Sequence, residues 1–128
     1  MDANLRAARL GSLGDALSRL EAALVQPKTE WTRDAAIQRF EFSFELAWKA
    51  VSACARSEGL EARSPREALR VAHRLAWFDD DGLWLRMLDD RNRTSHIYNE
   101  AVAEEIFARL GAYAVALGDL RQRLSALA

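Results

Sequence analysis

The 128-residue chain sets eighteen Lys and Arg against nineteen Asp and Glu, a formal charge of −1 at pH 7. Half apolar and 29% charged, it reads as one globular domain over 1–128, long enough to bury a core without disulfides or metals. The balance excludes an overall basic field that would gather nucleic acid, so any RNA or nucleotide contact must come from a local arginine cluster. The lone Cys54 and two histidines exclude an intrachain disulfide and an all-Cys/His zinc site.

The N-terminal MDANLRAARLGSL lacks a long apolar run, and nothing approaches a membrane span, so a cytoplasmic location is expected. Residues 4–25 carry Leu5, Leu10, Leu13, Leu17, Leu20 and Leu24 at helical steps, which predicts an amphipathic helix stopped by Gln26-Pro27. A longer helix follows over 31–57, ending before Gly59, and Trp31 is a candidate hydrophobic staple at its start. Its segment RFEFSFELAWK alternates like a strand from Phe40 to Phe44. Helix is favoured because Ile37, Phe40, Phe44, Trp48 and Val51 follow helical steps. Glu41, Glu45 and Lys49 also form an i, i+4 ladder with the acid N-terminal to the lysine. Phe42 and Leu46 lie on another side, so this helix is expected to be buried on two faces, in the middle of a bundle or at a dimer interface. Cys54 follows the apolar spacing and is expected in the core.

Ser64-Pro65-Arg66-Glu67 reads as a capping box with proline at the first helical position, opening a third helix to about Trp77. His73, between Arg70 and Arg74, belongs to a solvated basic face. Asp79-Asp80-Asp81 offers caps for a fourth helix over about 82–93, and Ser95 or Asn99 for a fifth running to about Leu124. Trp48, Trp77 and Trp84 are expected to pack rather than to stack bases. With no convincing strand, the expected fold is all-α. It is an antiparallel up-and-down bundle of four main helices plus a shorter one, forming a two-fold dimer.

The stretch DDRNRTSHIYNE, Asp89–Glu100, interrupts this pattern. Arg91 and His96 would differ by about 140° around a continuous helix, so they converge only if the helix breaks near Thr94. Thr94, Ser95 and Asn99 are residues that stop and restart helices. Arg91 offers a planar fork for phosphate oxygens, His96 can move protons near neutrality, and Asn92 can orient a ribose or the imidazole. The competing reading is a helix end whose charges satisfy carbonyls or face water, with His96 as a cap and Tyr98 packed with its hydroxyl wet. Glu41 and Glu45 read as a surface ladder or as partners for an arginine rather than as a catalytic acid pair.

Three pieces in order, RDAAIQRFEFSFELAWKA, SPREALR and DDGLWLRMLDDRNRTSHIYNE, resemble the nucleotidyltransferase substrate-binding protein family, a branch of the HEPN superfamily of helical bundles. The resemblance covers about residues 30–124, while residues 1–29 carry no specific match. The HEPN signature falls on Arg91, Asn92 and His96, and its extended form Arg-x4-His-x-Tyr adds Tyr98.

The resemblance implies a partner nucleotidyltransferase of the MNT type and two possible roles. In one, the chain is a metal-independent endoribonuclease toxin with Arg91, His96 and Asn92 at its catalytic site. The partner, bringing ATP and magnesium, silences it by AMPylating Tyr98. In the other, it is a non-catalytic subunit that binds a nucleotide or acceptor for that enzyme. Either way the chain itself is expected to hold no metal or cofactor. Because each chain has one well-placed histidine, RNA cleavage points to a homodimer that faces two His96 and two Arg91 across one phosphate. A plain helical adaptor is the third alternative.

Overall fold

The computed structural model describes residues 2–127; residues 1 and 128 of the expected domain lie outside the described residues. The chain forms five α-helices: α1 (Asp2–Leu24), α2 (Glu30–Ser57), α3 (Pro65–Arg74), α4 (Asp81–Arg93) and α5 (Glu100–Ser125). A 3₁₀ turn at Thr94–His96 lies between α4 and α5. The long helices α1, α2 and α5 pack on one another, α3 lies on α2, and α4 is held between α3, α2 and α5. The all-α bundle of four main helices and a shorter one is as expected. Among the described residues no helix is long and apolar enough to cross a membrane.

The strand-like alternation in α2 resolves on a helix. Phe40 and Phe44 are fully buried on the core side, while Phe42, about 200° away around the axis, is half exposed. Phe40 also stacks on the buried Tyr113 ring of α5, with centroids 5.3 Å apart. Ser43 enters the core by donating its hydroxyl to the Arg39 carbonyl at 2.8 Å. The second face of α2 is covered only in part within one chain: Leu46 packs against the core and Ala53 is buried, while Phe42 is half exposed.

Helix ends follow local chemistry. Thr29 caps α2, its hydroxyl accepting from the Thr32 N–H at 3.0 Å while Thr32 accepts from the Thr29 N–H at 2.7 Å. This reciprocal box places Trp31 inside the first turn, 85% exposed, so it is no hydrophobic staple. Gly59, at φ +76°, closes α2: its N–H bonds to the Arg56 carbonyl and that of Leu60 to Ala55, the pairing of a Schellman end. Ser64 caps α3 by accepting from Glu67 N–H at 3.2 Å, but Glu67 reaches back to the N–H of Arg63 rather than of Ser64.

The third helix ends at Arg74, short of the expected Trp77. Ala76 takes φ +59°, its N–H meeting the His73 carbonyl and that of Trp77 meeting Ala72. This is again a Schellman end, with alanine where glycine would be favoured. The left-handed conformation costs such a residue about 1–2 kcal/mol. It turns Trp77 into the core, where the indole is 5% exposed.

Asp80 caps α4, its carboxylate accepting from the Leu83 N–H at 3.0 Å, and Asn99 caps α5 by accepting from Ala101 and Val102. Cys54, Trp77 and Trp84 are buried and His73 is exposed, as expected from their spacing.

Candidate functional site

The segment that carries the polar motif starts in the last turn of α4 and is built around a buried acid. Trp84, Met87 and Asp90 continue one inward stripe of the helix, so Asp90 sits where an apolar residue would otherwise lie and is 1% exposed. Two nitrogens of Arg109, Nε and Nη2, donate to its two oxygens at 2.8 Å each. Tyr113 donates its hydroxyl to Oδ2, and Arg93 Nη1 donates to Oδ1 at 3.3 Å. This cluster pins the C-terminal turn of α4 to α5. Arg93 adds a second tie through Glu105 at 2.7 Å.

The next residue, Arg91, about 100° further around the helix, turns toward α2. Its Nη2 donates to Glu45 at 2.7 Å and its Nη1 to the Asn92 side-chain oxygen at 3.1 Å. Its side chain is 29% exposed. Thr94 Oγ1 lies 3.0 Å from a Glu41 oxygen and 2.8 Å from the Arg91 carbonyl, so its one proton serves either acceptor. Glu41 and Glu45, one turn apart on α2, are thus neighbours of the motif. The reading of these acids as partners for an arginine holds for Glu45, which also keeps a looser 3.7 Å contact with Lys49.

The α-helix stops at Arg93 and the chain tightens into the 3₁₀ turn Thr94–His96, the break that convergence of Arg91 and His96 requires. His96, at the end of this turn, and Tyr98, just after it, are exposed, and their rings meet edge-on with centroids 6.0 Å apart. Among the described residues no hydrogen bond joins Arg91 to His96 or engages the His96 imidazole. The structure therefore pairs Arg91 with Asn92 and His96 with Tyr98, on the two sides of one helix break.

The turn is fixed from below. Arg33 of α2, 3% exposed, donates to both oxygens of Glu100 at 2.7 and 3.2 Å, to Asp34 at 3.0 Å, and lies 3.5 Å from Glu104. Glu100 starts α5 two residues after Tyr98, so Arg33 anchors the far end of the segment as Asp90 anchors the near end. Sequence reasoning missed both anchors. The available signal was the position of Asp90 on the inward stripe; Arg33 and Glu100, 67 residues apart, carried none.

A groove of about 480 Å³ runs between α1 and α2, lined by Ala16, Arg19, Arg39, Phe42, Glu45 and Leu46 among others. Glu45 belongs both to this groove and to the ion pair with Arg91, so the half-exposed Phe42 side of α2 opens beside the motif. Among the described residues no cluster of three or more His, Cys, Asp or Glu is placed to hold a metal ion.

Residues 8–126 match the model of the family described as nucleotidyltransferase substrate binding protein like. A Haemophilus influenzae protein named "Probable ribonuclease HepT" is 31% identical over 97 residues, which are 69% of this chain and 66% of that protein. The chain thus spans about two thirds of that relative's length. A crystal structure from Thermus thermophilus superposes with a TM-score of 0.83 at 41% identity, covering 88% of this chain and 98% of that one. A second structure, from Haemophilus influenzae, is described as revealing the fold of a substrate binding domain of a nucleotidyltransferase. It superposes with a TM-score of 0.81 at 26% identity, covering 91% of this chain and 98% of that one.

Proposed function

The chain belongs to the nucleotidyltransferase substrate-binding protein family, and from that premise we propose that it is the HEPN-type endoribonuclease of a toxin–antitoxin pair. One observation carries the reading. The helix break at Thr94 leaves Arg91 part-exposed at the end of α4, with His96 and Tyr98 exposed just beyond it.

In this reading the chain works as a two-fold dimer that covers the Phe42 face of α2, so that two motifs share one cleft. One His96 takes the proton of an RNA 2′-hydroxyl, whose oxygen attacks the adjacent phosphorus. The partner copy's His96 protonates the departing 5′-oxygen, and the Arg91 guanidinia stabilise the charge gathering on the phosphate. The products are a 2′,3′-cyclic phosphate and a 5′-hydroxyl, formed without a metal. Light scattering should give twice the 14.4 kDa chain mass, and Phe42→Glu, a change at a half-exposed position, should give a folded monomer without ribonuclease activity. A parent that stays monomeric at micromolar concentration contradicts the shared cleft.

Silencing falls to the nucleotidyltransferase. A neutral phenol is a poor nucleophile, so the partner must supply the base as well as ATP and magnesium. The Tyr98 oxygen attacks the α-phosphorus, pyrophosphate leaves, and AMP remains on the ring, two residues from His96. Co-expression with the cognate partner should add the mass of one or more AMP units to Tyr98. Tyr98→Phe should keep the fold and cleavage but escape silencing, and so be toxic with the partner present. Tyr113 is the internal control because its ring is fully buried. Intact-mass and peptide measurements that find no increment, or find it elsewhere, remove this step.

A second reading has an observation in its favour. Glu45 and Asn92 already occupy both terminal nitrogens of Arg91. A chain that only presents a nucleotide or acceptor to its partner needs no free catalytic arginine. Ribonuclease activity of the isolated chain separates the two.

A further inference from the structure

Trp31 is unexplained by the core, by the caps or by the motif. It is 85% exposed in the first turn of α2, and Val25, just after α1, is 80% exposed. Tyr98 is 82% exposed. These three are the most exposed large apolar side chains among the described residues, and they share one end of the bundle. Antiparallel packing brings the end of α1 and the start of α2 together, and Arg33 ties the start of α2 to Glu100 at the start of α5. Lys28 of the connecting loop adds a 2.6 Å bond to Glu104. Trp31 lies two residues before Arg33, about 3 Å along the helix, and Tyr98 two residues before Glu100. The platform between them is cross-linked by these two ion pairs.

Around Trp31 itself the exposed charge is acidic, and the half-exposed Lys28 is paired with Glu104. Glu30 and Asp34 border a shallow cleft with Trp31, and Glu100 is 67% exposed. The cation beneath, Arg33, is buried and already taken by Asp34 and Glu100. An exposed tryptophan flanked by Glu30 and Asp34 fits a protein surface that offers an apolar pocket with basic residues beside it.

We propose that this end of the bundle is the docking face for the partner nucleotidyltransferase, with Trp31 as its anchor. The inference rests on the proposed transfer to Tyr98. An enzyme that brings MgATP to the Tyr98 hydroxyl must cover the surface around it. A standard interface occupies about 800 Å² per partner, a disc of roughly 16 Å radius, wide enough to spread from Tyr98 over the end of the bundle that carries Trp31. The pairing explains why a tryptophan is kept in water beside the acceptor. It also makes docking separable from chemistry: Trp31 holds the partner, and Tyr98 receives the AMP.

The test titrates the purified cognate nucleotidyltransferase against the full chain, Trp31→Ala and Val115→Ala, measuring affinity, AMP incorporation and chain mass in solution. Val115 is 64% exposed on α5, about 22 Å along the helix from Glu100, and controls for loss of any exposed apolar group. Trp31→Ala should bind the partner at least tenfold more weakly. It should incorporate AMP slowly at low partner concentration and at the parental rate at saturation, while Val115→Ala behaves as the parent. Equal affinity of Trp31→Ala and the parent overturns the docking face and leaves the proposed function standing. A Trp31→Ala chain that turns monomeric assigns the face to a second copy instead, and overturns the proposal. A parent that neither binds the partner nor gains AMP removes the functional reading, and this inference with it.

Discussion

His96→Ala is expected to lower RNA cleavage by about 10²–10⁴-fold, the usual cost of losing a general acid–base group, with no change in melting temperature. The imidazole is exposed and packs into no core, so its removal opens no cavity. Arg91→Ala should lose cleavage as well, and for a different reason: the fork that stabilises phosphate charge is gone. Its stability cost should stay within about 0–1 kcal/mol, because its ion pair with Glu45 is about a third exposed on both sides and screened by water. Arg91→Lys keeps the charge without the planar fork and should fall between parent and alanine. EDTA should leave the parent's rate unchanged. A His96→Ala chain that cleaves RNA as fast as the parent means that His96 is not the proton carrier.

Asp90→Ala is expected to be the most damaging change to the fold near the site, destabilising by about 3–5 kcal/mol, the cost of stripping one side of a buried ion pair. The carboxylate is buried, and the two Arg109 nitrogens and the Tyr113 hydroxyl would all lose their acceptor. Burial alone would push the Asp90 carboxyl up. The hydrogen bonds from Arg109 and Tyr113, with the charges of Arg109 and Arg93, outweigh it and hold the carboxyl below the usual range. The sign follows: stability from Asp90 is present above an unfolded pKa of about 3.9 and lost as pH falls through the lower folded value. Burial and then the bond to Asp90 push Tyr113 up. Its contribution is present below about pH 10 and lost as pH rises through the higher folded value. Urea unfolding at pH 7 measures the first effect, and melting temperature against pH the second. An Asp90→Ala chain as stable as the parent would show that the cluster does not hold α4 to α5.

The helices were legible because their signals are local. Leucine spacing marks α1, the Glu41–Glu45–Lys49 ladder identifies α2 as a helix despite its strand-like alternation, and Asp80 and Asn99 cap α4 and α5 as their residue types suggest. The end of α3 was not legible, because Ala76 adopts a left-handed conformation that alanine does not advertise. Trp31 was misassigned because the N-cap is Thr29 and Thr32 is its N3 partner in the capping box, so Trp31 falls inside the helix rather than before it. At the site, the residue types and the break at Thr94 could be read directly. What fixes them could not, since Asp90 meets Arg109 and Tyr113, Arg91 meets Glu45, and Arg33 meets Glu100 only after α2, α4 and α5 have packed. Nor does the sequence distinguish an apolar face turned to a neighbouring helix from one turned outward, as Phe42 is.

The central claim is that two copies of the chain together cleave RNA through Arg91 and His96 and are silenced at Tyr98. The most direct measurement follows a labelled single-stranded RNA with the purified, unmodified chain in EDTA, then with the same chain after treatment with the nucleotidyltransferase, ATP and magnesium. The account predicts cleavage to 2′,3′-cyclic phosphate ends in the first case and intact RNA in the second, with AMP mapped to Tyr98. Intact RNA with the unmodified chain, alongside tight binding of the partner, would contradict it and leave a substrate-binding subunit in its place.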